Sequence, residues 1–274
     1  MTPSPRRFTV EDFAAALVLP PGAIVNQRVP KKLLIENGAP TPGDKRLLQE
    51  HVDQLTWLAA LKPSNAGVPA FRDADRAYLE IAIVCVTLRN VAGALAKVKR
   101  IAELVHRAIP YPVLLIVDDG QRGFVSMAHL RLAQDGSDKL VLDGEHVLAE
   151  LPMVMPDADE RIEGVHQEAL ASFPMSHQPR ADLRTLYQGW MDTLGAWQAA
   201  AVSGVFLDPR LHPGAVDRRL ALARLASAEE QIAALRKAAA KEKQIARQVV
   251  INQDIKQLQA EQDRARCVLA GTRT

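Results

Sequence analysis

The chain has 274 residues, 48% of them hydrophobic and 4% aromatic, with a formal net charge of +2. The chain is long and apolar enough for a real core, so disorder is not the default, while so small a charge does not by itself imply nucleic-acid binding. Two distant cysteines, Cys85 and Cys267, exclude a disulfide framework and a cysteine metal site and read as reduced thiols of a cytoplasmic protein.

The first stretch, "MTPSPRRFTVEDFAAALVLPPG", starts like a signal peptide, but Glu11 and Asp12 interrupt its apolar run and Pro20-Pro21 end it. It reads instead as a short helix over 8–18, with Thr9 as N-cap, Asp12 three residues later, and Phe8 and Phe13 as apolar anchors. No stretch approaches the ~20 apolar residues of a membrane span. A short apolar piece follows at Leu33–Ile35. From about Asp44, residues Leu47, Leu48, His51, Val52, Leu55, Trp57 and Leu58 recur at spacings that predict a helix with one broad apolar face.

"AYLEIAIVCVTLR", 77–89, is a continuous β-branched run of the kind expected for a strand buried on both faces. The helix predicted over 91–108 buries Val91, Leu95, Val98, Ile101, Leu104 and Val105. "YPVLLIVDD" is a second buried strand, "GFVSMAHLRLAQ" an alternating one, and "KLVLDG" one more. Strand, helix, strand, strand forms an α/β unit whose first connection should be a right-handed crossover.

Residues 152–163 read as a connection, after which the period turns helical. Leu183, Leu186, Trp190, Leu194, Trp197 and Ala201 mark one helix, ended by Asp208-Pro209 and Pro213-Gly214. From about 215 to 268 the pattern predicts a single helix. Its seam runs through Leu225, Ala228, Ile232, Leu235, Ala239, Glu242, Ile245, Val249, Asn252, Ile255 and Leu258. So narrow a stripe needs a partner helix, from the same chain or from a second copy. Val250 and Ile251 broaden it and predict a docking point, and Asn252 on the seam is placed to fix register.

The chain has no Walker-type Gly-Lys-Ser/Thr loop, GxGxxG, GxSxG, HExxH or CxxC motif. A Mg²⁺-dependent nuclease would need acids and a lysine at a strand end. Glu80, Asp118 and Asp119 are the candidate acids, although Asp118-Asp119-Gly120 also reads as an ordinary turn. The seven histidines are dispersed, without ligand spacing. Residues 216–268 carry 11 Lys/Arg against 7 Asp/Glu. Lys241, Lys243 and Arg247 there, with Lys31 and Lys32 near the N-terminus, are candidate phosphate contacts; the alternative use is a solvated helix face.

In order and spacing, "VPKKLLIENG", "DQLTWLAALKPSNAGV", "LEIAIVCVTLR", "AIPYPVLLIV", "DLRTLYQGWMDTL" and "KEKQIARQVVINQDIKQLQ" resemble a bacterial family, the domain of unknown function four-three-nine-one. Members are typically encoded beside helicases and DNA methyltransferases in restriction-like or phage-defence clusters, so the resemblance implies an accessory role in antiviral defence and no established activity. Lys31, Lys32, Trp57, Glu80, Pro110 and Asn252 are the positions matching its patterns.

The expected protein is an α/β (α+β) domain with a small mixed sheet over 1–150, a helical connection over 151–214 and, over 215–274, a long coiled-coil-like C-terminal helix, either folded as a hairpin or dimerising. It is expected to be a non-enzymatic accessory subunit without catalytic residues, metal or cofactor. It would bind a helicase or DNA methyltransferase, and DNA, or pair with a second copy through an interaction seam at Ile245, Val249, Ile251, Asn252 and Ile255. The alternative is a divergent nuclease using Mg²⁺ at Glu80, Asp118 and Asp119.

Overall fold

The computed structural model describes residues 6–7, 9–91, 94–134, 140–144, 146–154 and 160–272. Two compact units divide the chain: Met1–Ala158 with Leu170–Met191, and Asp159–Ala169 with Asp192–Thr274. The first holds a mixed β-sheet with helices, and the helical region that follows ends in two long helices.

In the first unit, strand β1 (Arg6–Arg7) precedes helix α1 (Val10–Ala16). Thr9 and Asp12 form the reciprocal capping box of α1, and Phe13 is fully buried; Phe8 lies outside the described residues. β2 (Ile24–Arg28) leads to α2 (Lys32–Gly38), which replaces the apolar piece expected at 33–35, and then to α3 (Pro42–His51). β3 (Val52–Leu61) corrects the helix expected from Asp44 through Leu58, because the chain leaves helical geometry at Val52. Leu55, Ala59 and Leu61 are buried there, and hydrogen bonding to two neighbouring strands outweighs the helical spacing.

After α4 (Pro63–Ala66), the short strands β4 (Phe71–Arg72) and β5 (Ala77–Tyr78) pair with each other. Next come β6 (Ile81–Leu88), α5 (Leu95–Ala108), β7 (Val113–Asp118) and β8 (Gly123–Met127). "GFVSMAHLRLAQ" is two strands rather than one. β8 joins the main sheet, while β9 (Leu130–Leu132) pairs with β10 (Leu140–Leu142) outside it. β11 (Val147–Glu150) returns to the main sheet, and β12 (Met153–Val154) pairs with β1.

The six-stranded sheet has the order β11-β8-β7-β6-β3-β2, antiparallel except for the parallel pair β6 and β7 that α5 connects. Most of β6 and β7 is inaccessible to solvent, as their continuous apolar runs require. α2, α3 and α5 cover one face, with Leu34, Leu48, Val98, Ile101 and Val105 in the core. Asp44 of α3 and Arg100 of α5 join two of these helices: Arg100 Nε and Nη2 donate to the two carboxylate oxygens at 2.8 and 2.9 Å. The exposed edge β2 is broken by a bulge between Ile24 and Gln27, where Asn26 has φ 48°, and such a kink discourages strand addition.

The helical segment opens with α6 (Glu160–Leu170) and α7 (Leu183–Ser203). On α7, Leu183, Leu186, Trp190, Leu194 and Trp197 are buried as the spacing predicts, whereas Ala201 is exposed. The single helix expected over 215–268 is instead two, α8 (Ala215–Lys241) and α9 (Ile245–Leu269). Glu242 makes the turn without Gly or Pro. Its Oε1 accepts from the backbone N–H groups of Lys243 and Gln244, and its carbonyl accepts from Gln248 Nε2 at 2.7 Å.

α8 packs against α9 as an antiparallel hairpin. On α8 the expected seam is in place through Leu225, Ala228, Ile232, Leu235 and Ala239. On α9 the expected Ile255 and Leu258 are in place, joined by Ile251, Ala265 and Leu269 at heptad spacing, whereas the first part of the expected seam is not. Reversal at the turn resets the phase, so Ile245 is 78% and Val249 49% exposed, and Asn252 is exposed too.

Two stability predictions follow from this packing. Ile255→Ser should lower the unfolding free energy by about 3 kcal/mol, whereas Val249→Ser and Asn252→Ala should stay within about 0.5 kcal/mol of the parent; urea unfolding followed by circular dichroism checks the order. Asp44 is buried, and its bonds from Arg100 and Thr41 hold its pKa down to about 2. A depressed carboxylate contributes stability above its ordinary pKa of about 4 and loses it as pH falls toward the folded value. Asp44→Asn should therefore cost about 2 kcal/mol at neutral pH, with the gap to the parent closing as urea unfolding is repeated from about pH 4 down to about pH 2.

Candidate binding groove

β2 ends at Arg28, and the Val29 N–H donates to Leu55 O at 2.9 Å, keeping the chain against β3 for one more residue. Pro30 has no N–H to continue the ladder, so the chain turns into α2. Lys31 occupies the N-cap position of α2, and its Nζ donates to Val52 O at 2.8 Å, fixing one cation at the start of β3. Lys32 is exposed and makes a solvated contact to Glu36 at 3.5 Å.

Gly38, the last residue of α2, lies where a Cβ would stand 2.5 Å from Leu104 O and 2.7 Å from Ala108 Cβ. Absence of a side chain lets α2 lie directly on α5. Trp57 from β3 and Tyr111 from the turn after α5 are half-buried against the core edge.

These elements leave two adjoining hollows. An apolar one of about 160 Å³ is lined by Leu33, Asn37, Trp57, Pro110 and Tyr111, together with Val29 and Leu55. A second, of about 460 Å³, shares Val29 and Leu55 and is lined by Arg28, Lys31, Lys32 and Asp53. Asp53 is engaged by Arg89 Nη1 at 3.3 Å, so the cations dominate that lobe. Four of the six positions marked by the family resemblance, Lys31, Lys32, Trp57 and Pro110, thus line one groove.

The nuclease acids are not brought together. Glu80 precedes β6 and faces Lys62 Nζ at 3.3 Å. Asp118 ends β7, level with Thr87, at the other end of the same parallel pair, which separates it from Glu80 by on the order of 20 Å. Asp118 Oδ1 accepts from Gly120 N, and Asp119 accepts from the backbone N–H groups of Gln121 and Arg122 and from the Arg122 guanidinium. Both acids build the turn that Gly120, with φ 82°, completes. Among the described residues no three His, Cys, Asp or Glu side chains cluster in a way that could hold a metal ion. His106 is fully enclosed 2.9 Å from Ser126 Oγ, and burial followed by His146 pushes its pKa down to about 3. Burial likewise pushes the Cys85 thiol up to about 11, away from reactivity.

Lys241, Lys243 and Arg247 gather at the α8–α9 turn, all exposed, with Arg247 3.9 Å from Glu242. Beside them lie the exposed side chains of Ile245, Val249 and Val250. Two hollows of about 530 and 710 Å³ flank the opposite end of the hairpin. The buried Arg218 there donates to His212 O at 3.0 Å, with its pKa lowered by burial. No helix among the described residues is long and apolar enough to cross a membrane.

Residues 17–261 match the family described as Domain of unknown function (DUF4391). The chain belongs to this family. The matched span takes in the whole groove and the α8–α9 turn, and it stops short of Ala265 and Leu269, which close the hairpin's other end. Comparison with curated proteins and with solved structures gives no match.

Asn37 and Tyr111 belong to the groove without having been marked in the sequence, while Arg28 stands out there only as one of a cluster of basic residues with Lys31 and Lys32. Reading 52–61 as a strand would have placed Leu55 and Trp57 on one face beside β2, next to Arg28. Nothing local signals Tyr111, which arrives through the α5–β7 connection. Gly38→Ala should lower the urea midpoint and increase acrylamide quenching of Trp57, because α2 must lift from α5. Trp190 and Trp197 are buried, so the change reports Trp57; unchanged quenching would show that the helix contact does not shape the groove.

Proposed function

We propose that the protein is a non-catalytic accessory subunit of a bacterial antiviral defence or DNA restriction-modification system, acting by binding a helicase or DNA methyltransferase partner and DNA. The carrying observation is the α8–α9 turn. Ile245, Val249 and Val250 are 78%, 49% and 55% exposed there, although the same helix buries Ile255 and Leu269 against α8. An apolar ridge left outside a satisfied seam, next to Lys241, Lys243 and Arg247, has the character of a protein-docking surface with a phosphate-facing flank. The separation of Glu80 from Asp118 and the structural use of Asp119 favour binding over metal-dependent hydrolysis.

The test is affinity purification of tagged full-length protein from its native host. The parent should carry the partner. The triple variant Ile245→Ser, Val249→Ser, Val250→Ser should lose it with an unchanged melting curve, since none of the three is buried. A parent that purifies as a solitary monomer, or a triple variant that retains the partner, would contradict the proposal. Charge reversal at Lys241, Lys243 and Arg247 should weaken duplex DNA binding and reduce the slope of log affinity against log salt by up to about 3.

A further inference from the structure

We propose that the groove between α2, β3 and the α5–β7 turn binds single-stranded nucleic acid, with a base against Trp57 and Tyr111 and its phosphate at Arg28, Lys31 and Lys32. The inference takes its setting from the accessory-subunit reading, but it names a different surface and a specific form of the ligand.

Two lobes of opposite chemistry meet at Val29 and Leu55. The smaller is apolar, carries two aromatic rings, and has volume for a planar base rather than for an extended chain. Asn37 also lines it, and its amide, which has no partner among the described residues, is able to pair with a base edge. The larger lobe brings three cations against one acid that Arg89 already engages. Arg28 has no ion-pair partner among the described residues, and the carbonyl that Lys31 contacts leaves its charge uncompensated. A nucleotide has this sequence of parts: a flat apolar head, a sugar, and an anion one sugar away.

The base must be unpaired to enter. In a duplex its faces are covered by neighbouring bases, whereas an aromatic side chain in a protein pocket stacks on a base free of the helix. Stacking of this kind is sequence-tolerant, because every base has such a face, and the flanking cations add affinity that falls with salt.

The experiment measures anisotropy of a fluorescein-labelled oligodeoxythymidylate, and of a duplex of equal length, with the full-length protein. The oligodeoxythymidylate should bind and should shield Trp57 from acrylamide. Trp57→Ala should weaken its binding tenfold or more, the size expected for loss of one stacked base. Trp57→Phe should keep binding within about threefold by retaining a ring. The double variant Arg28→Glu, Lys32→Glu should also lose tenfold or more, with an unchanged melting curve because both side chains are exposed. Unchanged oligodeoxythymidylate affinity in Trp57→Ala and the double variant would overturn the inference. So would loss of that affinity only on charge reversal at Lys241, Lys243 and Arg247, a result that leaves the accessory role standing. If the groove variants keep the oligonucleotide but lose the co-purifying partner, the groove is a protein-docking surface and the inference falls.

Discussion

Burial of the parallel pair β6 and β7 on both faces is the constraint from which the first unit is built. Ile81–Val84 and Val113–Val117 are without solvent exposure, so each face of the sheet needs its own cover. A parallel pair also needs a long connection, and α5 supplies both the connection and one cover. On the sheet, the Tyr187 hydroxyl donates to Val113 O or Ala128 O, which lie 2.7 and 3.0 Å away, and accepts from the Ala128 N–H at 2.9 Å. One buried hydroxyl thereby ties the start of β7 to the residue after β8, and burial raises its pKa well above the ordinary tyrosine value. Fixing the start of β7 also fixes the turn before it, which carries Pro110 and Tyr111. The groove is thus a consequence of how the sheet is closed at that corner.

Elements with one unambiguous period were legible. The apolar runs of β6 and β7 admit only buried strands, and the stripe from Val98 to Val105 admits only a helix lying on them. Ambiguity entered where two periods coincide. Leu47, Leu48 and His51 continue into Val52, Leu55 and Leu58 at helical spacing, yet Leu55, Ala59 and Leu61 serve a strand. The decision belongs to β2 and β6, which lie far away in sequence. The reversal at Glu242 was illegible for a different reason. Its turn is made by one carboxylate and one carbonyl, without the residues that usually announce a break. Without that turn, Ile245, Val249 and Asn252 read as one continuous seam with Ile255 and Leu258, whereas in α9 the last two are on it, with Ile251, and the first three are exposed. The site was legible only in pieces: Lys31, Lys32, Trp57 and Pro110 were visible as motif positions, and their adjacency needed the fold.

The same logic separates structural from functional charge. Asp44, Glu103 and Asp119 look like chemistry in isolation, but each is held by an arginine or by backbone N–H groups. Among the described residues, Arg28, Lys32, Lys241 and Lys243 have at most a solvated partner, and they lie on surfaces with adjacent apolar side chains. Ionic groups satisfied within the fold stabilise it, while those left open are available to a ligand. That distribution is the basis for proposing two binding surfaces, one in each unit.

Hydrogen–deuterium exchange of the full chain, free and in complex with the proposed partner and single-stranded nucleic acid, tests this proposal directly. The account predicts slowed exchange at 28–37, 108–111 and 241–251, with none at 79–81 or 118–122. Protection centred on Glu80 and Asp118–Arg122, with the groove and the α8–α9 turn unchanged, would contradict it.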